Sequence, residues 1–293
     1  MRILIYGAGV IGSLYATRLH EAGHDVSLVA RGARLTALRE HGLLLAEGQS
    51  SAIRSVPVPV IEAPTGEYEL ILVFVRTHQV DAVLQSIAGL AGDVLFLLNW
   101  AAGPHPLGAV IGAERVLLGF PTLGGTLDGE IVRYRPASAL TRLVSMPIGE
   151  PDGSVTPRLE RILRTFRSAG VSAKAEPRMD AWLKTHAAFE VPLGRAVHAA
   201  GGPEALASDR DAIRRMLHEI QRNFATLPTP PVPRAFALLC RVPEGVWVPV
   251  FERFLRSTAA APLRTNTPAV SAELDRLMEQ LRTFTVGNPF PGK

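Results

Sequence analysis

The 293-residue sequence predicts an α/β protein. A Rossmann-type doubly wound, mostly parallel sheet is expected over residues 1–177, followed by an all-helical domain over residues 178–293. Three observations predict this. The apolar run Ile3-Leu4-Ile5-Tyr6 leads straight into Gly7-Ala8-Gly9-Val10-Ile11-Gly12 and a helical pattern. Further short apolar runs alternate with helical patterns through the first half. After about residue 155 the strands give way to successive helical patterns.

The elements follow in order. A first helix over 10–22 stops at Gly23. Strands are expected over 26–30, 69–75, 94–98 and 116–120, because continuous apolar runs suit strands covered on both faces. A helix over 79–88 separates two of them. A helix over 158–169 and a last strand over 171–175 complete the sheet domain. Helices near 179–200, 209–227, 234–240, 248–258 and 270–284 build the second domain. Ser208-Asp209-Arg210-Asp211 resembles a helix-starting cap.

The glycine turn carries its own chemistry. Gly7 permits a tight bend, Gly9 lets backbone N–H groups approach a pyrophosphate, and Gly12 lets helix and strand pack closely. The positive end of the helix then receives the pyrophosphate. All six residues, Gly7, Ala8, Gly9, Val10, Ile11 and Gly12, are candidates for cofactor contact. At the tip of the second strand an NAD site usually carries an acid for the ribose 2′-hydroxyl. This chain has Arg31 there, with Arg34 three residues on. A guanidinium fits a 2′-phosphate with two parallel charge-assisted hydrogen bonds, so NADP(H) is expected over NAD(H). A solvated loop arginine is the alternative reading.

Ligands of open α/β sheets lie beyond the carboxyl ends of the strands. Arg76 and Asn99 each follow an apolar strand. Arg76 is a candidate for a cofactor phosphate or ribose, and Asn99 for the nicotinamide ribose, its carboxamide or the substrate. A cleft between the two domains is the expected active site.

Lysine usage singles out another residue. The chain has 28 arginines and three lysines, Lys174, Lys184 and Lys293. An ammonium can release its proton at accessible pH, whereas a guanidinium effectively cannot. Lys184, in Asp180-Ala181-Trp182-Leu183-Lys184, is therefore the candidate proton donor to a carbonyl oxygen that receives hydride. A surface lysine is the alternative. His186 and Glu190 are weaker acid–base candidates. His20 and His24 have helical ligand spacing without a supporting carboxylate or cysteine cluster, so no metal site is expected.

The net charge is +4. Residues 1–150 hold 11 basic and 13 acidic side chains, and residues 151–293 hold 20 and 14. The basic second half suits an acidic substrate or a solvated helical surface, and Arg195 or Arg264 could grip a carboxylate. No basic run is interleaved with aromatics, which argues against nucleic acid. Cys240 is the one cysteine, which excludes an internal disulfide, and its apolar stretch suggests a core position. No run of about 20 apolar residues suggests a membrane span. No cleavable signal precedes the first strand, and a cytoplasmic protein is expected.

The sequence resembles the ketopantoate reductase (2-dehydropantoate 2-reductase) family. The resemblance rests on Gly7–Gly12, Gly23-His24-Asp25-Val26, Arg31, Val75-Arg76-Thr77-His78-Gln79-Val80, the strand ending at Asn99, Leu118-Gly119-Phe120, Asp128-Gly129-Glu130-Ile131 and Trp182-Leu183-Lys184. It implies Lys184 as general acid, Arg31 at the 2′-phosphate and Asn99 at cofactor and substrate. It also leaves room for a homodimer. The family's lysine at the position of Arg76, the glycine at Trp100, and the asparagines at Ala188 and Val191 are replaced here. A Ser and Glu-Ile-Asp run near the end of the family's chain has no match. The expected function is NADP(H)-dependent reduction of a small 2-oxo acid or related carbonyl, with 2-dehydropantoate among the candidates. The competing class is an NADPH-binding sensor without turnover.

Overall fold

The computed structural model describes residues 1–135, 144–265 and 267–286; Lys293 lies outside them. Two compact units emerge from the contacts. One comprises Met1–Leu98 and Pro104–Met179, the other Asn99–Gly103 and Asp180–Lys293.

The first unit is built on β1 (Arg2–Tyr6), β2 (Asp25–Val29), β5 (Val60–Ile61), β6 (Leu70–Val73), β7 (Asp93–Leu97), β8 (Val116–Gly119), β11 (Met146–Gly149) and β12 (Ala173–Ala175). Their order in the sheet is β12-β11-β8-β7-β6-β1-β2-β5. Every pairing is parallel except β8 with β11. The sheet is therefore the mostly parallel one that the apolar runs imply, with β6, β8 and β11 buried along their whole length. Helices α1 (Val10–Glu21), α2 (Gly32–His41), α3 (Val80–Ile87), α4 (His105–Ile111) and α5 (Pro157–Ser168) complete the alternation. Tyr15 and Leu19 of α1 join Ile3, Ile5, Leu28, Leu72 and Phe166 in one apolar core.

A second, four-stranded sheet was not expected. It runs β4 (Arg54–Val56), β3 (Leu43–Glu47), β10 (Ile131–Tyr134), β9 (Gly125–Asp128). Leu43, Leu45, Val56 and Val132 extend the same core. Gly42 makes the switch from α2 into β3 possible. Its φ is +69°, and a Cβ there would stand 2.6 Å from Ser55 Oγ. Only a glycine tolerates both conditions.

The amino end of α5 is tied to the sheet by charge. Thr156 caps it, with Oγ1 accepting from Leu159 N at 3.2 Å. Arg158 grips both oxygens of Glu150, with Nε to Oε1 at 2.8 Å, and reaches Asp93 Oδ1 at 3.0 Å. Glu150 is only 4% exposed. The two carboxylates hold the Arg158 pKa above its ordinary value despite the cost of burial.

The second unit is helical: α6 (Met179–Ala200), α7 (Pro203–Leu206), α8 (Arg210–Thr226), α9 (Leu238–Arg241), α10 (Glu244–Leu255) and α11 (Pro268–Val286). Asp209 caps α8, its Oδ1 accepting from Ala212 N at 2.8 Å. Ile213, Met216, Leu217, Ile220 and Phe224 then form the buried stripe that a 3.6-residue period demands. They pack with Leu193, Val197, Leu206, Val248, Phe251 and Leu255. A smaller cluster joins Ala101 to Ala187, Val191, Leu274 and Leu277.

Cys240 is a correction to the sequence reading: it is exposed. The helix expected over 234–240 is a 3₁₀ turn at Arg234–Ala237 followed by the single turn of α9. So short a helix buries one residue, and that residue is Leu239. The helix expected from 248 begins four residues earlier, at Glu244.

Candidate active-site residues

The glycine turn joins β1 to α1. Gly7 has φ +114°, and a Cβ there would stand 2.2 Å from Phe74 O. A Cβ on Gly12 would stand 1.9 Å from Gly7 O. Both positions therefore admit no side chain. Gly9 differs: its φ is −77°, and a Cβ would meet nothing within 4 Å. Its Cα faces open space. No side chain caps α1 and no acid stands in its first turn, so the N–H groups of that turn are left to an anion. The turn fits a dinucleotide pyrophosphate on these grounds.

Arg31 caps the amino end of α2 in an extended conformation. Its Nη2 donates to Tyr6 Oη at 2.7 Å, with the guanidinium carbon 5.9 Å from the ring centroid. Arg34 Nε donates to Ala8 O at 3.2 Å and Nη1 to Glu130 O at 3.1 Å. Arg34 Nη2 is buried with no hydrogen-bond partner among the described residues, and burial pulls its pKa down. Two guanidinium groups thus stand beside the turn. Arg76 follows β6, its backbone N–H donating to Gln79 Oε1 at 3.0 Å and its carbonyl accepting from Gln79 N at 2.8 Å.

Within the second unit, Lys184 lies on α6 and is 12% exposed at the side chain. Its Nζ stands 2.5 Å from Asp180 Oδ2, one turn earlier, and 4.9 Å from the Phe284 ring centroid. Gly103 comes close to this pair. A Cβ there would stand 3.6 Å from Asp180 Oδ1 and 3.7 Å from Lys184 Nζ, and its φ is +78°. Gly103 and Asn99 bound the loop that groups with this unit. The loop is pinned twice. Buried Trp100 donates Nε1–H to Gly103 O at 2.6 Å, and Ala101 N donates to Gln280 Oε1 of α11 at 2.8 Å. Trp100, replacing the glycine of the resembled family, is therefore a structural part of the loop. Asn99 and Lys184 belong to one compact unit, which strand-end reasoning about Asn99 did not anticipate.

The weaker candidates are placed as follows. His186 Nε2 meets Glu190 Oε2 at 3.0 Å, and its ring stacks on Trp182. Arg264 is paired with Glu204 on the surface, which corrects the idea that it awaits a substrate carboxylate. Arg195 is exposed and directs Nη1 to Met278 Sδ at 2.6 Å. Ala188 and Val191 are buried in apolar clusters. Burial lowers the His24 pKa, and among the described residues no group of His, Cys, Asp and Glu could hold a metal ion. Among the described residues, no helix is long and apolar enough to cross a membrane. The contacts of Tyr6, Asp180 and Gly103 with the candidate residues are not among the sequence expectations. The Asp180–Lys184 spacing was visible in the sequence; the Tyr6 contact was not.

Comparison with known proteins adds to this geometry. Residues 3–143 match the family model described as ketopantoate reductase PanE/ApbA. A 2-dehydropantoate 2-reductase from Mesorhizobium japonicum is 28% identical over 212 residues, 63% of this chain and 63% of that protein. The chain spans about three-fifths of the length of the curated relatives it matches. A solved 2-dehydropantoate 2-reductase from Geobacter metallireducens shares the fold with a TM-score of 0.67, at 20% identity over 98% of this chain and 100% of that one. A D-mandelate dehydrogenase solved with NADH and anilino(oxo)acetate shares it with a TM-score of 0.69, at 18% identity over 97% and 100%.

Proposed function

We propose that this chain, which belongs to the ketopantoate reductase family through residues 3–143, is an NADP(H)-dependent oxidoreductase that reduces a small 2-oxo acid or related carbonyl. 2-Dehydropantoate is among the candidate substrates. The observation that carries the reading is the turn at Gly9. Its backbone is open between two glycines that have no room for a side chain, and Arg31 stands where an NAD site would have an acid.

In this reading the backbone of Gly7, Ala8, Gly9, Val10, Ile11 and Gly12 receives the pyrophosphate. Arg31 takes the 2′-phosphate by paired, charge-assisted hydrogen bonds, and Arg76 takes a second phosphate or ribose. Asn99 orients the nicotinamide side or the substrate. A bound nicotinamide supplies the hydride. Lys184 Nζ donates a proton to the carbonyl oxygen, so negative charge does not build up there. Asp180 and the Phe284 ring hold that ammonium in place.

Titration with NADPH and NADH, followed by NADPH oxidation across a panel of 2-oxo acids, tests the reading. Preferential NADPH binding with turnover of at least one acid is the expected result. Equal affinity for both dinucleotides would overturn the phosphate assignment. The burial of Ala188 and Val191, where the resembled family has asparagines, favours a second reading, a sensor. Saturable NADPH binding without turnover of any acid would establish it.

A further inference from the structure

We propose that Tyr6 is a positioning residue for Arg31, and through it sets the preference for a 2′-phosphorylated dinucleotide. The inference rests on the NADP(H) reading above. Tyr6 ends β1, immediately before Gly7, between β2 and β6 in the sheet. It is 6% exposed. Its hydroxyl lies 2.7 Å from Arg31 Nη2 and 3.0 Å from Ser86 Oγ of α3.

The direction of this relay is fixed by chemistry. A guanidinium has donors and no acceptor, so the phenol oxygen must accept from Arg31. Its single proton is then free to go to Ser86. An arginine at the exposed start of α2 would otherwise sample many rotamers. Anchored at one nitrogen, its planar fork is already oriented, and less freedom is lost when a phosphate engages the remaining N–H groups. Arg34 is fixed on Ala8 O in the same neighbourhood, so the turn meets a phosphorylated ribose with two ordered cations. Tyr6 is assigned no ligand contact of its own in this reading. Its removal should therefore weaken ligands in proportion to their use of Arg31.

The test uses the full chain and calorimetric titration, which needs no turnover. The ligands are NADPH, NADH, adenosine 2′,5′-bisphosphate and AMP. Tyr6→Phe is expected to weaken NADPH and the bisphosphate about three- to tenfold, the worth of one hydrogen bond. NADH and AMP should be unchanged. Ser86→Ala should act in the same direction with smaller size, and stands as the test if Tyr6→Phe does not fold. Equal weakening of all four ligands, or none, overturns the inference. Arg31→Ala separates the two levels. If it leaves NADPH affinity unchanged, the NADP(H) reading fails and this inference with it. If it weakens NADPH while Tyr6→Phe and Ser86→Ala leave the NADPH-to-NADH ratio intact, only the role of Tyr6 fails.

Discussion

Lys184 and Asp180 meet one turn apart on α6, with Nζ 2.5 Å from Oδ2. The contact holds one end of a long, flexible side chain on the face that Gly103 approaches. In the proposed reduction an ammonium so held is presented at a defined place, and a lysine, unlike an arginine, is a side chain that can serve as a proton donor.

Replacing Lys184 by Ala is therefore expected to lower kcat by roughly 10²–10⁴. Affinity for NADPH should change little, since the assigned phosphate contacts lie elsewhere in the chain. Lys184→Arg should be nearly as slow. Stopped-flow NADPH oxidation and binding titration separate the two quantities. Turnover within a fewfold of the parent would remove Lys184 from the acid role.

Asp180→Asn keeps the size of the side chain and removes its charge. A drop in kcat of about ten- to a hundredfold is expected from a misplaced ammonium, with KM for the carbonyl substrate nearly unchanged. Asp180→Glu should recover part of the loss. A rise in KM alone would assign Asp180 to substrate binding.

The glycines of the turn should separate binding from folding. At Gly9 the backbone is ordinary and a Cβ meets nothing within 4 Å, so Gly9→Ala should melt at the parent temperature and bind NADPH at least about tenfold more weakly. At Gly12 the Cβ would stand 1.9 Å from Gly7 O. Gly12→Ala should lose stability, by about 1–3 kcal/mol from overpacking. Thermal melting beside NADPH titration reads both.

Glu150→Ala should be clearly destabilising to the first unit. It leaves the Arg158 guanidinium, 22% exposed at the side chain, without its nearly buried partner. A loss of about 3 kcal/mol is expected, read as a melting temperature lower by roughly 5–10 °C. Replacing Arg161, the exposed partner of Asp93, should cost under about 1 kcal/mol.

The eight-stranded sheet was legible because its strands are buried on both faces and so appear as unbroken apolar runs. The smaller sheet was hidden for the opposite reason. The β9 strand is largely exposed, and β3 follows α2 with only Gly42 between them, so its leucines read as more helix. Cys240 sits in an apolar stretch that suggests a continuous helix, but the chain makes a 3₁₀ turn and then a single α-turn that buries only Leu239. Gly7 and Gly12 could be read from the sequence because sterics dictate both, whereas at Gly9 the backbone is open and ordinary. Lys184 stands out in the sequence by its rarity. Its partner Asp180 needed only the i, i+4 rule, but Tyr6 needed to be seen beside Arg31, twenty-five residues away in the chain.

The five residues from Asn99 to Gly103 bear on how this chain can be dissected. A polypeptide starting at residue 180 would lack Ala101, a member of its smaller apolar cluster, and Gln280 would lose the amide it accepts from. A polypeptide ending at residue 179 would carry the same loop with that amide unanswered. Splitting the protein between residues 179 and 180 should therefore yield one fragment with a hole and another with a loose end, and a clean excision of the helical part would need those five residues grafted back.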